Sequence, residues 1–195
     1  MEQLTSRIAF FGGTFDPIHK GHLEVAEKAL SILNLDQVIF IPCRRSPHKT
    51  NAPKVSDQDR FEMLKLATAS LSWAQIEDYE LKKAPPSYTS ETVLHFKEKH
   101  PPQTQHFLII GYDQWEALPR WKDPEILTRN VEFIVVGRDQ QAAPRDSYAA
   151  HFIEGDHPAS SSQIRKDLAF KRNPQWLPDS VRTYIQEKGL YFETR

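Results

Sequence analysis

The chain has 195 residues, 39% of them hydrophobic and 26% charged, with a formal net charge of -1. That composition excludes a disordered chain, and the missing basic excess argues against a general nucleic-acid binder. The single cysteine, Cys43, rules out an internal disulfide and a Cys-rich metal site; with no apolar stretch long enough to span a membrane and no export signal, a cytoplasmic location is expected.

Arg7 to Phe11 is a short apolar run stopped at Gly12-Gly13, which predicts a buried strand and a glycine turn. A helix is expected after Pro17, because Leu23, Ala26, Leu30 and Leu33 recur at spacings of three and four. Gln37 to Pro42 predicts a second buried strand. Residues 43 to 56 show no periodicity and several basic side chains, so they read as a long loop. Ser56-Asp57 predicts the N-cap of a helix whose face carries Phe61, Leu64, Ala67 and Leu71. A strand is expected from Ile76 to Leu81 and a helix from Ser87 to Lys99.

Gln105 to Gly111 and Val131 to Gly137 predict two more apolar strands ending at glycine, with a short helix over Pro124 to Arg129 between them. After a polar loop, His151 to Glu154 reads as a short strand. Helices over Ser162 to Lys171 and Asp179 to Lys188 follow, the last stopped by Gly189. Strands alternate with helices throughout. The expected fold is one α/β domain over residues 1–195, Rossmann-like and doubly wound, with a mainly parallel sheet, helices on both faces and a helical C-terminal end. Such sheets bind ligands at the carboxyl ends of their strands, so the site is expected where Gly12, Gly111 and Gly137 converge.

Chemistry concentrates in Gly12-Gly13-Thr14-Phe15-Asp16-Pro17-Ile18-His19-Lys20-Gly21-His22. Glycines let the backbone approach a phosphate, and a helix start favours an anion through its unpaired N–H groups and partial positive charge. Gly21 costs about 1 kcal/mol in a helix relative to alanine, which suggests that a side chain there would obstruct something, such as a nucleotide. By spacing alone, the two histidines could equally be surface residues or a metal pair. Neither a P-loop nor a Gly-x-Gly-x-x-Gly fingerprint follows the first strand.

His19-Lys20-Gly21-His22 resembles the His-x-Gly-His signature of the nucleotidyltransferase superfamily, and its flank closely resembles the bacterial nicotinate mononucleotide adenylyltransferases. The resemblance continues through Pro47-His48-Lys49, Ser87-Tyr88-Thr89, Gly111-Tyr112-Asp113, Leu118-Pro119-Arg120-Trp121 and Ser160-Ser161-Ser162-Gln163-Ile164-Arg165. It also covers the ending, with Leu177 to Val181, Tyr184-Ile185 and Gly189-Leu190-Tyr191. Ala159 stands where that family more often has isoleucine or valine, and Ser162 where it more often has threonine. Cys43 to Ser46 is less typical of it.

The resemblance implies an adenylyltransferase that joins ATP to a pyridine mononucleotide and releases pyrophosphate. It implies catalytic roles for His19, His22 and Arg165. ATP contacts are implied for Gly12, Gly13, Thr14, Phe15, Gly21, Lys49, Gly111, Asp113, Ser161 and Ser162. Pyridine-nucleotide contacts are implied for Asp16, Tyr88, Thr89, Trp121 and Lys122. Mg²⁺ is implied with ATP, bridging its phosphates, and no separate protein metal site is. The implied partners are small molecules and neither nucleic acid nor membrane; homo-oligomerisation is left open. From the residues alone, Ser162 reads as a helix cap, Asp113 as another N-cap, Lys49 as a solvated loop residue and Trp121 as packing. The acid and the amide mononucleotide remain alternative acceptors. A phosphopantetheine adenylyltransferase and a nucleotide sensor without turnover are the more distant readings.

Overall fold

The computed structural model describes residues 5–45, 52–137, 144–155 and 157–192. Elements run β1 (Arg7–Gly13), α1 (Lys20–Ile32), β2 (Gln37–Pro42), α2 (Asp57–Thr68), β3 (Ala74–Ile76), α3 (Tyr79–Lys82) and α4 (Thr89–Lys99). They continue with β4 (Gln105–Gly111), α5 (Tyr112–Ala117), a 3₁₀ turn (Leu118–Arg120), α6 (Pro124–Asn130), β5 (Glu132–Gly137), β6 (Ala150–Glu154), α7 (Ser161–Ala169) and α8 (Asp179–Lys188). The strands form one six-stranded sheet in the order β3-β2-β1-β4-β5-β6. Every pairing in it is parallel. This is the doubly wound order expected, and the order reverses between β1 and β4. Among the described residues, no helix is long and apolar enough to cross a membrane.

Alternation along the strands divides the core into two layers. Ala9, Val38, Phe40, Phe107, Ile109 and Ile134 face one side, where Ala26, Met63, Leu64, Ile164 and Val181 pack on them. Phe10, Ile39, Ile41, Leu108, Ile110 and Phe133 face the other, against Val93, Phe96, Trp115, Leu118 and Leu127. Burial on both faces explains why the strands read as continuous apolar runs.

Three expectations need correction. The strand expected over Ile76 to Leu81 lies earlier and is shorter: β3 is Ala74–Ile76, and Tyr79–Lys82 forms a helical turn. The apolar residues Tyr79 and Leu81 misled the pattern, because here they flank the inward-turned Glu80. Leu71 falls beyond α2, which ends at Thr68. The six-residue α5, Tyr112–Ala117, is too short to display periodicity and was not expected; its Trp115 is fully buried. The caps behave as expected at Ser56, whose side chain accepts from the Asp59 N–H at 3.0 Å, and at Gly189, whose φ of 63° is left-handed.

A histidine pair sits where α4 leads into β4. Nδ1 of His100 and Nε2 of His106 are 2.8 Å apart, and the His106 ring stacks on Phe10 at 5.4 Å. Burial, then the nearby His100 and Lys97, pushes His106 down to about 4 from its usual 6.5. Between those values the unfolded chain binds a proton that the folded one refuses, so this stability is present above pH 6.5 and is lost as pH falls toward 4. Urea unfolding is expected to lose on the order of 2 kcal/mol over that window, and His106→Gln should flatten the loss. An unchanged pH slope in the variant would exclude His106 as its source.

Candidate active site

The site is built around the segment from Thr14 to His19, which joins β1 to α1 at the reversal of strand order. Phe15 takes a positive φ of 47° and folds its ring back into the core, edge-on to Phe11 at 5.7 Å and Phe40 at 5.9 Å. A Cβ on Gly13 would stand 2.9 Å from that ring. Gly13 is therefore a glycine because of Phe15. Gly12 differs: a Cβ there would meet nothing within 4 Å.

Four distant segments hold this loop. The fully buried Arg60 donates to the Thr14 carbonyl at 2.6 Å while pairing with Asp57 at 2.6 Å. Arg165 donates to the Asp16 carbonyl at 2.6 Å, and the Ser161 hydroxyl donates to the Pro17 carbonyl at 3.1 Å. The buried Asp16 carboxylate accepts from the Tyr191 hydroxyl at 2.7 Å and from the Lys54 N–H at 2.8 Å. Burial and the Asp16 charge push the Tyr191 phenol far above its ordinary value. Lys20 N–H, at the first position of α1, donates to the Trp176 carbonyl at 2.8 Å.

His19 is the N-cap of α1. Its N–H donates to Nδ1 of His22 at 3.2 Å, and the two rings stack at 3.7 Å. His19 is 6% exposed, and its Nδ1 has no hydrogen-bond partner among the described residues. Burial first, then the neighbouring His157, pushes its pKa down to about 4, so it is a neutral imidazole near pH 7. His157 comes from the segment between β6 and α7. Its Nδ1 accepts from the Ala159 N–H at 3.0 Å, its Nε2 lies 3.6 Å from Glu24, and its ring meets Trp176 edge-on. His157 is a site residue that the sequence reading missed; no local motif marks it.

Two cavities adjoin β1, and Phe11 lines both. The smaller, about 190 Å³, is lined by His19, Gly21, His22, Gly155 and His157. The larger, about 580 Å³, is lined by Gly12, Gly13, Thr14, Tyr88, Thr89, Gly111, Trp121 and Lys122, joined by Glu80, Ser87, Thr92 and Arg120. Lys122 lies over the Tyr88 ring at 4.2 Å and pairs with Glu91 at 3.0 Å.

The structure thus brings eleven of the expected residues to the two cavities. Phe15, Asp16, Asp113, Ser161, Ser162 and Arg165 do not line either one. Phe15 is core, and Asp16, Ser161 and Arg165 brace the loop. Asp113 is in the first turn of α5 and is not its cap, which is Gly111. Ser162 is not a cap either: Ser160 caps α7, accepting from the Gln163 N–H at 3.1 Å, while Ser162 accepts from Arg165. Lys49, with Pro47 and His48, lies outside the described residues.

Gly21 also acquires a different explanation. A Cβ there would stand 3.0 Å from Nδ1 of His157 and 3.2 Å from Nδ1 of His19, so the crowding comes from the protein's own imidazoles. Gly21→Ala gains about 1 kcal/mol of helix propensity but must displace a ring fixed by Ala159 and Trp176. The imidazole resonances of His157 and His19 are expected to shift in NMR spectra while the fold persists. Unchanged resonances would show that the contact is not tight.

Comparisons with known proteins agree with this geometry. The cytidylyltransferase-like family profile matches residues 10–167. The nicotinate-nucleotide adenylyltransferase of Bacillus subtilis (strain 168) is 38% identical over 188 residues, covering 95% of this chain and 98% of that one. The Plasmodium falciparum nicotinic acid mononucleotide adenylyltransferase, solved with NaAD, superposes with a TM-score of 0.77 at 20% identity, covering 95% of this chain and 97% of that one. The same Plasmodium protein solved with APC gives 0.73 at 20% identity, with the same coverage. At that identity the superpositions speak for the fold, whereas the bacterial relative speaks for the family. With the larger cavity lined by the ends of β1 and β4, where the strand order reverses, and relatives matched nearly end to end, the chain belongs to the nicotinate-nucleotide adenylyltransferase family.

Proposed function

We propose that this chain transfers the adenylyl group of ATP to nicotinate mononucleotide, giving nicotinate adenine dinucleotide (deamido-NAD) and pyrophosphate, a step of NAD biosynthesis. The observation that carries this reading is the pair of cavities meeting at Phe11, one with imidazoles at a helix start and one with Tyr88 and Trp121 on its wall. The first suits phosphates, and the second suits a flat aromatic ring. The relatives' names and the NaAD bound to the Plasmodium neighbour support the same substrates.

In the reaction, a phosphate oxygen of the mononucleotide attacks the α-phosphorus of ATP. The bond from that phosphorus to the bridging oxygen breaks, and pyrophosphate leaves with the electron pair. The attacking phosphate is already anionic near pH 7, so no general base is required. The protein must align two anions and stabilise the charge that builds on the leaving group. His19 and His22, at the positive end of α1, are placed to donate hydrogen bonds to the α- and β-phosphates. A neutral His19 keeps one N–H for this purpose and adds no repulsion to its neighbours.

Arg165 has two available roles. It braces the Asp16 carbonyl in this structure, and its guanidinium, part-exposed, is expected to reach the triphosphate from there. ATP enters as its magnesium complex.

Purified protein with Mg-ATP is expected to release pyrophosphate with nicotinate mononucleotide faster than with nicotinamide mononucleotide, and not with phosphopantetheine. A failure to release pyrophosphate with any of these acceptors would overturn the enzyme reading, and preference for the amide would overturn the acceptor. His22→Ala is expected to lower turnover by on the order of a hundredfold with an unchanged far-ultraviolet spectrum. An undiminished rate would remove His22 from the mechanism.

A further inference from the structure

The wall of the larger cavity contains a buried acid. Glu80 on α3 is 6% exposed and lines that cavity beside Ser87, Tyr88, Thr89 and Thr92. The Thr92 hydroxyl donates to its Oε1 at 2.7 Å. Among the described residues, Glu80 makes no ion pair, although cations are close. Lys83, which follows α3, spends its ammonium on Glu91 and lies over the Tyr79 ring. Glu91 on α4 also holds Lys122. Arg44, from the segment after β2, donates to the Lys83 carbonyl and pairs with Asp57. His95 on α4 stacks on Tyr79, and burial lowers its pKa, so it adds no charge near neutral pH. Arg120 lines the cavity from the 3₁₀ turn.

A buried carboxylate without a counter-ion on the wall of a pocket that accepts anions is unfavourable. Burial is indeed the largest influence on Glu80 and raises its pKa, outweighing the Thr92 and Ser87 hydroxyls and the Lys83 charge that favour ionisation. Burial thus favours the protonated form of Glu80 more than water would for an exposed glutamate.

We propose that Glu80 sets the charge preference of the acceptor pocket: its buried carboxyl group donates a hydrogen bond to an anionic substituent on the acceptor ring. This rests on the acceptor assignment above. The bond O–H···O⁻ to a carboxylate is charge-assisted and strong. Once Glu80 ionises, two carboxylates would share one site and repel. A carboxamide substituent carries both a donor and an acceptor, so either form of Glu80 can hold it. The advantage of the acid over the amide should therefore fall as pH rises, and one side chain should set where it falls.

The test measures dissociation constants of nicotinate mononucleotide and nicotinamide mononucleotide by calorimetry, together with their KM at saturating Mg-ATP, from about pH 6 to about pH 9. In the unmodified protein, both constants for the acid are expected to rise by about tenfold or more across that range, while those for the amide stay level. Glu80→Gln cannot ionise yet still offers a donor, so its constants for the acid should be flat. Thr92→Val removes a hydroxyl that stabilises the ionised form, and it should move the rise to higher pH. A level acid constant in the unmodified protein, or the same rise in Glu80→Gln, would overturn the proposal. So would an unmoved rise in Thr92→Val, which also decides the question if Glu80→Gln does not fold. Binding is read without turnover, so an absence of pyrophosphate release would count against the proposed function and leave this test intact.

Discussion

The structure depends on the immobilisation of one short loop. Between β1 and α1 the chain must turn from the sheet into a helix and put two histidines at that helix's start. Its backbone carbonyls are taken by Arg60, Arg165 and Ser161, and the Asp16 carboxylate by Tyr191 and Lys54. A hydrogen bond to a buried charge is worth about 1.5–3 kcal/mol, and several converge on one loop. The buried Arg60 is held by Asp57 as well, so removing Asp57 would strand the guanidinium charge. Positioning catalysis needs such rigidity, because it works by alignment and not by a reactive side chain.

The same loop organises the electrostatics. His19, His22 and His157 are crowded together, and three imidazolium ions there would repel one another. Burial resolves the conflict by keeping His19 neutral, while the N-terminal end of α1 contributes partial positive charge without a titrating group. On the other side of Phe11, cations such as Lys122 and Lys83 are balanced by Glu91, and the cavity wall is largely aromatic and hydroxylic. Formal charge is thus kept low beside the histidines, where the helix start supplies positive potential, and is balanced in pairs beside the larger cavity.

Most of the scaffold was legible in the sequence because local pattern and tertiary role coincide. Buried parallel strands read as apolar runs, and Ser56 and Gly189 punctuate helices by their own chemistry. Reading failed where long-range contact chose among local equals. Three adjacent serines all suit a cap, and Ser160 takes the role while Ser161 is drawn to the distant Pro17 and Ser162 to Arg165 one turn on. Gly13 and Gly21 were correctly marked as special, but the groups that require them are Phe15 and His157. Arg60, Glu80 and His157 carry no motif, and a charged residue on an otherwise ordinary stretch gives no sign of being buried.

The bond between Tyr191 and Asp16 joins positions 175 residues apart. During synthesis, β1 and the histidine segment emerge long before the tyrosine that steadies them is translated. Parallel sheets of this kind already delay their closure, because non-local contacts must wait for the loops that make them. The nascent chain therefore lacks this brace on Asp16 until Tyr191 has been added.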